Sequence, residues 1–250
     1  MDVSKYADVS ATLDFEHALA ALPMDQYSLQ SPAYVTKVLH AIAVRTDECL
    51  TDEGQQPVAD KVDWTPPLAQ EDRTYGLWST NYASQFGVAL AAGTEPVVMD
   101  TLSFGVEFNK AYAGCTESAK NSLMDQLLFA QAPNIDWRIR NEAQKLTAAS
   151  DQGKRAKATW QDCMEGKGLV LDPDDGRPSA QYSAQGKEAE ITAALTEAQC
   201  AVDTGAAQQL YDLQAQYEAA FIDAQSAQVQ AFDAERAEVE RDLDAAIAGT

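Results

Sequence analysis

Cys49-Leu50-Thr51-Asp52-Glu53-Gly54 and Cys163-Met164-Glu165-Gly166-Lys167-Gly168 are two uses of one device. Each is a cysteine, a large apolar residue, three spacers and a glycine. Helix-forming sequence precedes each cysteine, and the glycine can supply the left-handed backbone that ends a helix. Proline-containing segments follow, Asp63-Trp64-Thr65-Pro66 in one case and Leu171-Asp172-Pro173 in the other. A cysteine in the last turns of a helix is thus positioned twice, ready to be tied to a cysteine further along.

The chain has four cysteines, Cys49, Cys115, Cys163 and Cys200. Zinc sites draw ligands from close pairs, because a short knuckle sets the bite, and no such pair occurs. Only His17 and His40 could add imidazole ligands, and neither lies near a cysteine in sequence. An even count at wide spacing suits disulfides in an oxidising compartment; the competing reading is four buried thiols in a reducing one. Four cysteines allow three connectivities. The repeated device favours the sequential one, Cys49–Cys115 with Cys163–Cys200, each worth about 4 kcal/mol by loop-closure entropy.

Working outward, Ala11–Phe15 reads as a short strand, and residues 1–10 as a polar tether. Ser31-Pro32 starts a helix, with serine as the cap and proline at the first helical position. Tyr34, Val35, Val38, Leu39, Ile42 and Ala43 follow at spacings of three and four, so this helix runs to about Asp52. Residues 55–104 are irregular, with a short strand expected at Thr94–Met99. Helical pattern returns near Val106, with helices over Glu117–Phe129, Asp136–Ala149 and Lys154–Glu165. After the irregular stretch 169–185 the chain is helix-forming, with Gly205 its one obvious interruption. From Ala206 to Ile247 there is neither proline nor glycine, which permits one coiled-coil-like helix about 60 Å long. It carries the stripe Leu210, Leu213, Tyr217, Ala220, Ala224, Ala227, Ala231 and Ala234, then a second of Val229, Phe232, Val239, Leu243 and Ile247. Packing within the chain is expected rather than pairing with a partner. The fold class is mainly α: a disulfide-stabilised helical protein with at most a small β element. Its expected divisions are 1–10, a half over 11–150 with Cys49 and Cys115, and a half over 151–250 with Cys163 and Cys200, the halves packing as one unit.

Trp160-Gln161-Asp162-Cys163-Met164, then Gly168, then Cys200 before an Ala/Gln/Glu-rich helix, resembles a class of actinobacterial secreted proteins and lipoproteins. These carry a WxxCM-x3-G motif, a later cysteine and a closing charged helix. Cys49-Leu50 to Gly54, followed by Trp64-Thr65-Pro66 and Tyr75-Gly76, is similar to their upstream half, with Leu50 where methionine is usual. The resemblance spans roughly residues 31–240. It implies export and a lipid-anchored life at the cell surface, and it implies no activity.

Composition narrows the partners. The 250 residues carry a net charge of -21, a field that repels nucleic acid and anionic membrane surfaces and is more compatible with cationic ligands or basic partner patches; the competing reading is that the charge only keeps the protein soluble and well separated. Ten acidic and two basic side chains fall in 201–250 alone. No stretch reaches the roughly 18 apolar residues of a membrane span. Met1-Asp2-Val3-Ser4-Lys5 reads as an initiator placed before a mature N-terminus, a leader or lipid-anchor signal having been removed.

Chemistry-bearing motifs are sparse. Trp64, Tyr75, Trp78, Tyr82 and Phe86 form an aromatic cluster that reads first as loop and core packing, with a sugar-stacking surface as the alternative. Trp137 and Trp160 read as core. Asp172, Asp174, Asp175 and Gly176 resemble a calcium loop but lack its closing glutamate, so a solvated turn is expected. His40 beside Leu39 reads as a helix histidine. There is no GxSxG, phosphate-cradling glycine loop or HExxH, so no catalytic residue, metal or cofactor is assigned. The expectation is a non-enzymatic extracytoplasmic envelope protein that binds a protein partner or wall component. The alternatives are a small-ligand or carbohydrate-binding protein, and an envelope hydrolase with a deep acidic cleft.

Overall fold

The computed structural model describes residues 1–90, 93, 102–130 and 134–249. It is mainly helical. Its elements are a β1–β2 hairpin (Thr12–Asp14, Leu19–Ala21), then α1 (Pro32–Asp52), α2 (Thr80–Phe86), α3 (Val106–Ser122), α4 (Met124–Phe129), α5 (Ile135–Ala149), α6 (Asp151–Gly166), α7 (Gln181–Ala184), α8 (Lys187–Asp203), α9 (Ala206–Ala224) and α10 (Ser226–Ile247). The strand expected at Thr94–Met99 lies outside the described residues.

The two helix ends behave as their sequences dictate. Ser31 Oγ accepts the Tyr34 amide at the start of α1, and Pro32 occupies the first turn. Gly54 and Gly168 both have positive φ, +73° and +86°, where α1 and α6 stop. The disulfides are Cys49–Cys115 and Cys163–Cys200, closing 66 and 37 residues of separation.

The chain forms two compact units, each assembled from three separated stretches. The first holds 1–26, 70–92 and 138–226; the second holds 27–69, 93–137 and 227–250. They do not coincide with the sequence halves 11–150 and 151–250, although each unit holds one bridge.

In the first unit α6, α8 and α9 pack together, with α2 against α8. Trp78, Tyr82, Trp160, Met164, Cys200 and Tyr211 form its core with small residues such as Ala207 and Ala215. The alanines let helix backbones approach, so large rings and small side chains interdigitate at interior density. The hairpin pairs Leu13 with Ala20. The first ten residues, expected as a tether, include the 3-10 turn Ser4–Tyr6. Lys5 Nζ and Tyr6 Oη both donate to Asp223, at 2.8 and 2.6 Å, which ties that turn to α9. In the second unit α1 packs on α3 around Leu50, Val58, Phe108 and Cys115. Lys37 Nζ reaches Asp244 on α10 at 3.0 Å, and Phe129 stacks on Phe232.

Three further expectations are corrected. The helix expected over Glu117–Phe129 is divided at Leu123 (φ −107°, ψ 20°) between α3 and α4. The helix expected unbroken from Ala206 to Ile247 is interrupted at Gln225 (φ −116°, ψ 25°). The break follows from the two apolar stripes. On one straight helix they would point in different directions, since 16 residues separate Leu213 from Val229 and that is not a whole number of turns. Leu210, Leu213, Tyr217 and Ala220 are buried on α9, Ala224, Ala227, Ala231 and Ala234 are exposed, and Val229, Phe232, Val239 and Leu243 are buried on α10. Trp137, expected in the core, is 47 % exposed. On α5 the inward line is Ile139, Ala143 and Thr147; Trp137 is two residues from Ile139, about 200° around the helix.

Candidate functional site

The site begins with Ser150-Asp151-Gln152-Gly153-Lys154-Arg155-Ala156-Lys157-Ala158-Thr159-Trp160. Ser150 Oγ caps α6 by accepting the Gly153 amide at 2.9 Å. Gly153, Ala156, Trp160 and Met164 then fall on the inward face and are buried. Gly153 lies so close to the Thr147 carbonyl that a side chain there would collide with backbone. Lys154 and Lys157, three residues apart, flank that face and are exposed.

Two further segments meet α6. In 72–76 the Gly76 amide donates to the Arg73 carbonyl at 3.0 Å, and Gly76 has φ +92°. The Trp160 ring lies against Gly76, and its indole Nε1 donates to the Glu197 carbonyl at 3.1 Å. In 172–178 a tight loop forms, with the Gly176 amide on the Asp172 carbonyl at 2.8 Å and the Arg177 amide on Asp175 Oδ1 at 2.8 Å. Asp172 Oδ1 accepts the Asp174 amide. Of the aspartates that resembled a calcium loop, Asp172 and Asp175 are therefore turn-forming acceptors.

Between these segments lies a cavity of about 570 Å³. Its apolar wall is Tyr75, Trp160 and Leu210; its cations are Arg73, Lys145, Lys154, Lys157 and Arg177; its acid is Asp175. In a chain with 18 basic and 39 acidic residues, this hollow is lined by five cations and one acid. The first turn of α6 adds the positive end of a helix dipole.

These cations have different duties. Arg73 is consumed structurally. It donates to the carbonyls of Val88 and Ala89 at 2.6 and 2.8 Å, pairs with the buried Glu71, and lies over the Tyr82 ring. Arg177 commits only Nε, to Glu197 Oε1 at 2.8 Å. Lys145 pairs with Glu142 at 2.7 Å. Lys154 and Lys157 make no side-chain hydrogen bond or ion pair among the described residues. The uncommitted heads are thus the two lysine ammoniums and the terminal guanidinium nitrogens of Arg177.

Buried carboxylates support this frame. Glu197 Oε1 also accepts the Leu77 amide at 2.8 Å; burial pushes its carboxyl up, opposed by Arg177. On α9, Glu218 accepts from the Met24 amide and from Gln214, and Gln214 accepts from Tyr75 Oη at 2.9 Å. Burial raises the carboxyl of Glu218 and the phenol of Tyr75. The chain Met24–Glu218–Gln214–Tyr75 fixes the tyrosine that walls the cavity. Buried polar groups satisfied in this way hold a unique geometry.

Of the five aromatics singled out by sequence, Tyr75 alone lines the cavity. Trp78 is 1 % exposed and donates to the Asp72 carbonyl. Tyr82 is buried and packs on Phe86, centroids 4.8 Å apart. Trp64, in the other unit, stacks on His40 at 4.5 Å and donates to the Ala59 carbonyl. His40 titrates below the ordinary histidine range because it is partly buried, and His17, on the hairpin turn, titrates above it beside Asp14.

The second unit has its own hollow of about 560 Å³ beside Cys49, carrying Glu48, Asp52 and Asp242. Its Arg45 is paired with Glu48 and its Gln126 with Asp242. Cys49, Glu53 and Cys115 lie close enough to share an ion. The two sulfurs are bonded to each other, however, and offer no thiolate.

No protein-family model matches the chain, and no curated protein or solved structure matches it. The geometry alone therefore carries the functional argument.

Proposed function

We propose that this is a non-enzymatic, extracytoplasmic binding protein of the cell envelope, secreted or lipid-held at the surface, whose cleft in the first unit takes a small ligand. Two disulfides and no free cysteine among the described residues fit an oxidising compartment. No helix among the described residues is long and apolar enough to cross a membrane.

One observation carries the reading. A cavity of about 570 Å³ combines an apolar wall with two lysines, Lys154 and Lys157, that make no side-chain hydrogen bond or ion pair among the described residues. That volume suits a small molecule or a wall-derived fragment, whereas a protein partner engages a broad surface. The hydrolase reading has less support, because the one carboxylate on the lining, Asp175, accepts the Arg177 amide, and the buried Glu197 is held by Arg177 and the Leu77 amide. Such groups brace the cleft more readily than they transfer protons.

Thermal-shift screening of envelope-derived small molecules tests the reading, with Ala148→Trp as the blocked control. Ala148 is exposed and lines the cavity, so its replacement fills the cleft without disturbing the core. Stabilising hits should vanish in the blocked variant, and mass spectrometry should recover them unchanged. Hits indifferent to the block would refute the site, and ligand turnover would refute the non-enzymatic role.

A further inference from the structure

We infer that the ligand of this cleft carries a phosphate-type head on an apolar or ring-bearing body; the inference rests on the reading of the cleft as a ligand site. Lys154 and Lys157 come from one face of α6, and Arg177 comes from the 172–178 loop. Each has donor groups that the protein leaves uncommitted, whereas the cavity's other two cations, Arg73 and Lys145, are paired with Glu71 and Glu142. Arg177 is held by Nε on Glu197, which leaves its terminal nitrogens to donate without losing that brace. A phosphate monoester offers close to two negative charges and three acceptor oxygens, which answers three donors from two directions better than a single carboxylate does. Asp175 is the one acid on the lining, and its Oδ1 is engaged by the Arg177 amide. Beyond the cations, Tyr75, Trp160 and Leu210 present apolar surface, which water leaves favourably for a hydrocarbon or aromatic body.

The two ends divide the work. The head supplies charge-assisted hydrogen bonds that depend on salt. The body supplies burial that does not. Because the rest of the surface is acidic, a bare anion gains little outside the cleft, so selectivity for the compound ligand follows from the pairing of both halves.

Isothermal titration calorimetry on the full chain, with 1-naphthyl phosphate, 1-naphthol and inorganic phosphate as probes, tests this. The naphthyl phosphate should bind with one site per chain, and more tightly than either half alone. Lys154→Gln with Lys157→Gln should weaken it about tenfold or more. Lys154→Arg with Lys157→Arg should retain it. Sedimentation with phosphatidylcholine vesicles, with and without phosphatidylglycerol, tells a lipid headgroup from a soluble ester. Capture that needs phosphatidylglycerol and is lost in the double glutamine variant supports the same chemistry at a lipid. Equal binding of naphthol and naphthyl phosphate, abolished by Ala148→Trp, would overturn the phosphate inference and leave the ligand cleft standing. Binding of naphthyl phosphate unchanged in the double glutamine variant would also overturn the inference. No response to any probe or to the envelope-derived panel would overturn both.

Discussion

The Trp160 ring closes against Gly76 so tightly that a β-carbon there would stand 2.5 Å from its Cη2. The same β-carbon would stand 2.9 Å from Glu197 Oε1. One glycine therefore lets three segments converge: the 72–76 turn, α6 and α8.

Gly76→Ala is accordingly expected to be costly. Gly76 has φ +92°, which L side chains rarely adopt, and its neighbours are a packed indole and an engaged carboxylate. Strain and overpacking together should remove about 2–4 kcal/mol of stability. Urea unfolding measures it; a loss under about 0.5 kcal/mol would mean the contact is loose.

Arg177→Leu should destabilise by about 3 kcal/mol, because it strands the buried Glu197 carboxylate without its cation. Pairing it with Glu197→Gln should recover much of that loss, since Gln carries no charge to strand. A double-mutant cycle reads the coupling, and strict additivity would mean that the 2.8 Å pair contributes nothing.

How much of this was legible in sequence depends on how local each cause is. Ser31-Pro32 and Gly54 bounded α1 because capping acts within one turn. The repeated cysteine device indicated the sequential pairing because each half carries its own helix stop. The break at Gln225 was missed because neither glycine nor proline marks it; it answers two stripes that packing draws in different directions. The cleft was missed because its parts come from 73–76, 144–160, 175–177 and Leu210, and none of these is a motif. One signal was available: Lys154, Arg155 and Lys157 concentrate positive charge in an otherwise acidic chain, directly before Trp160. Within the aromatic cluster Trp78 and Tyr82 serve the core, as the favoured packing reading has it, while Tyr75 walls the cleft; composition does not tell a buried ring from a wall.

Stability should fall as pH rises from mildly acidic to mildly alkaline. Burial raises the Glu218 carboxyl above its ordinary value of 4.5, and Glu197 shifts the same way. For a raised acid, the linked stability is complete below the unfolded pKa and is lost as pH climbs through the folded one. The net charge of -21 adds repulsion in the same direction. Glu218→Gln removes one of these contributions, so its urea midpoint should decline less between about pH 5 and about pH 8. A parallel decline in both proteins would mean that Glu218 is not the group responsible.

Each bridge should be separately stabilising. Replacing Cys163 and Cys200 together by alanine closes nothing over 37 residues of separation and should cost about 4 kcal/mol, as should the Cys49–Cys115 pair over 66. Guanidinium unfolding of each double variant checks this. Midpoints equal to the parent protein's would show that the staples do not constrain the unfolded chain.

The most direct measurement of the central claim uses fluorine NMR on protein labelled with 5-fluorotryptophan. The four reporters are Trp64, Trp78, Trp137 and Trp160, and Trp160 alone among them walls the cleft. Titration with 1-naphthyl phosphate should move the Trp160 resonance saturably and leave those of Trp64 and Trp137 in place. A Trp160 resonance that stays fixed, or four resonances that drift together without saturating, would contradict the account.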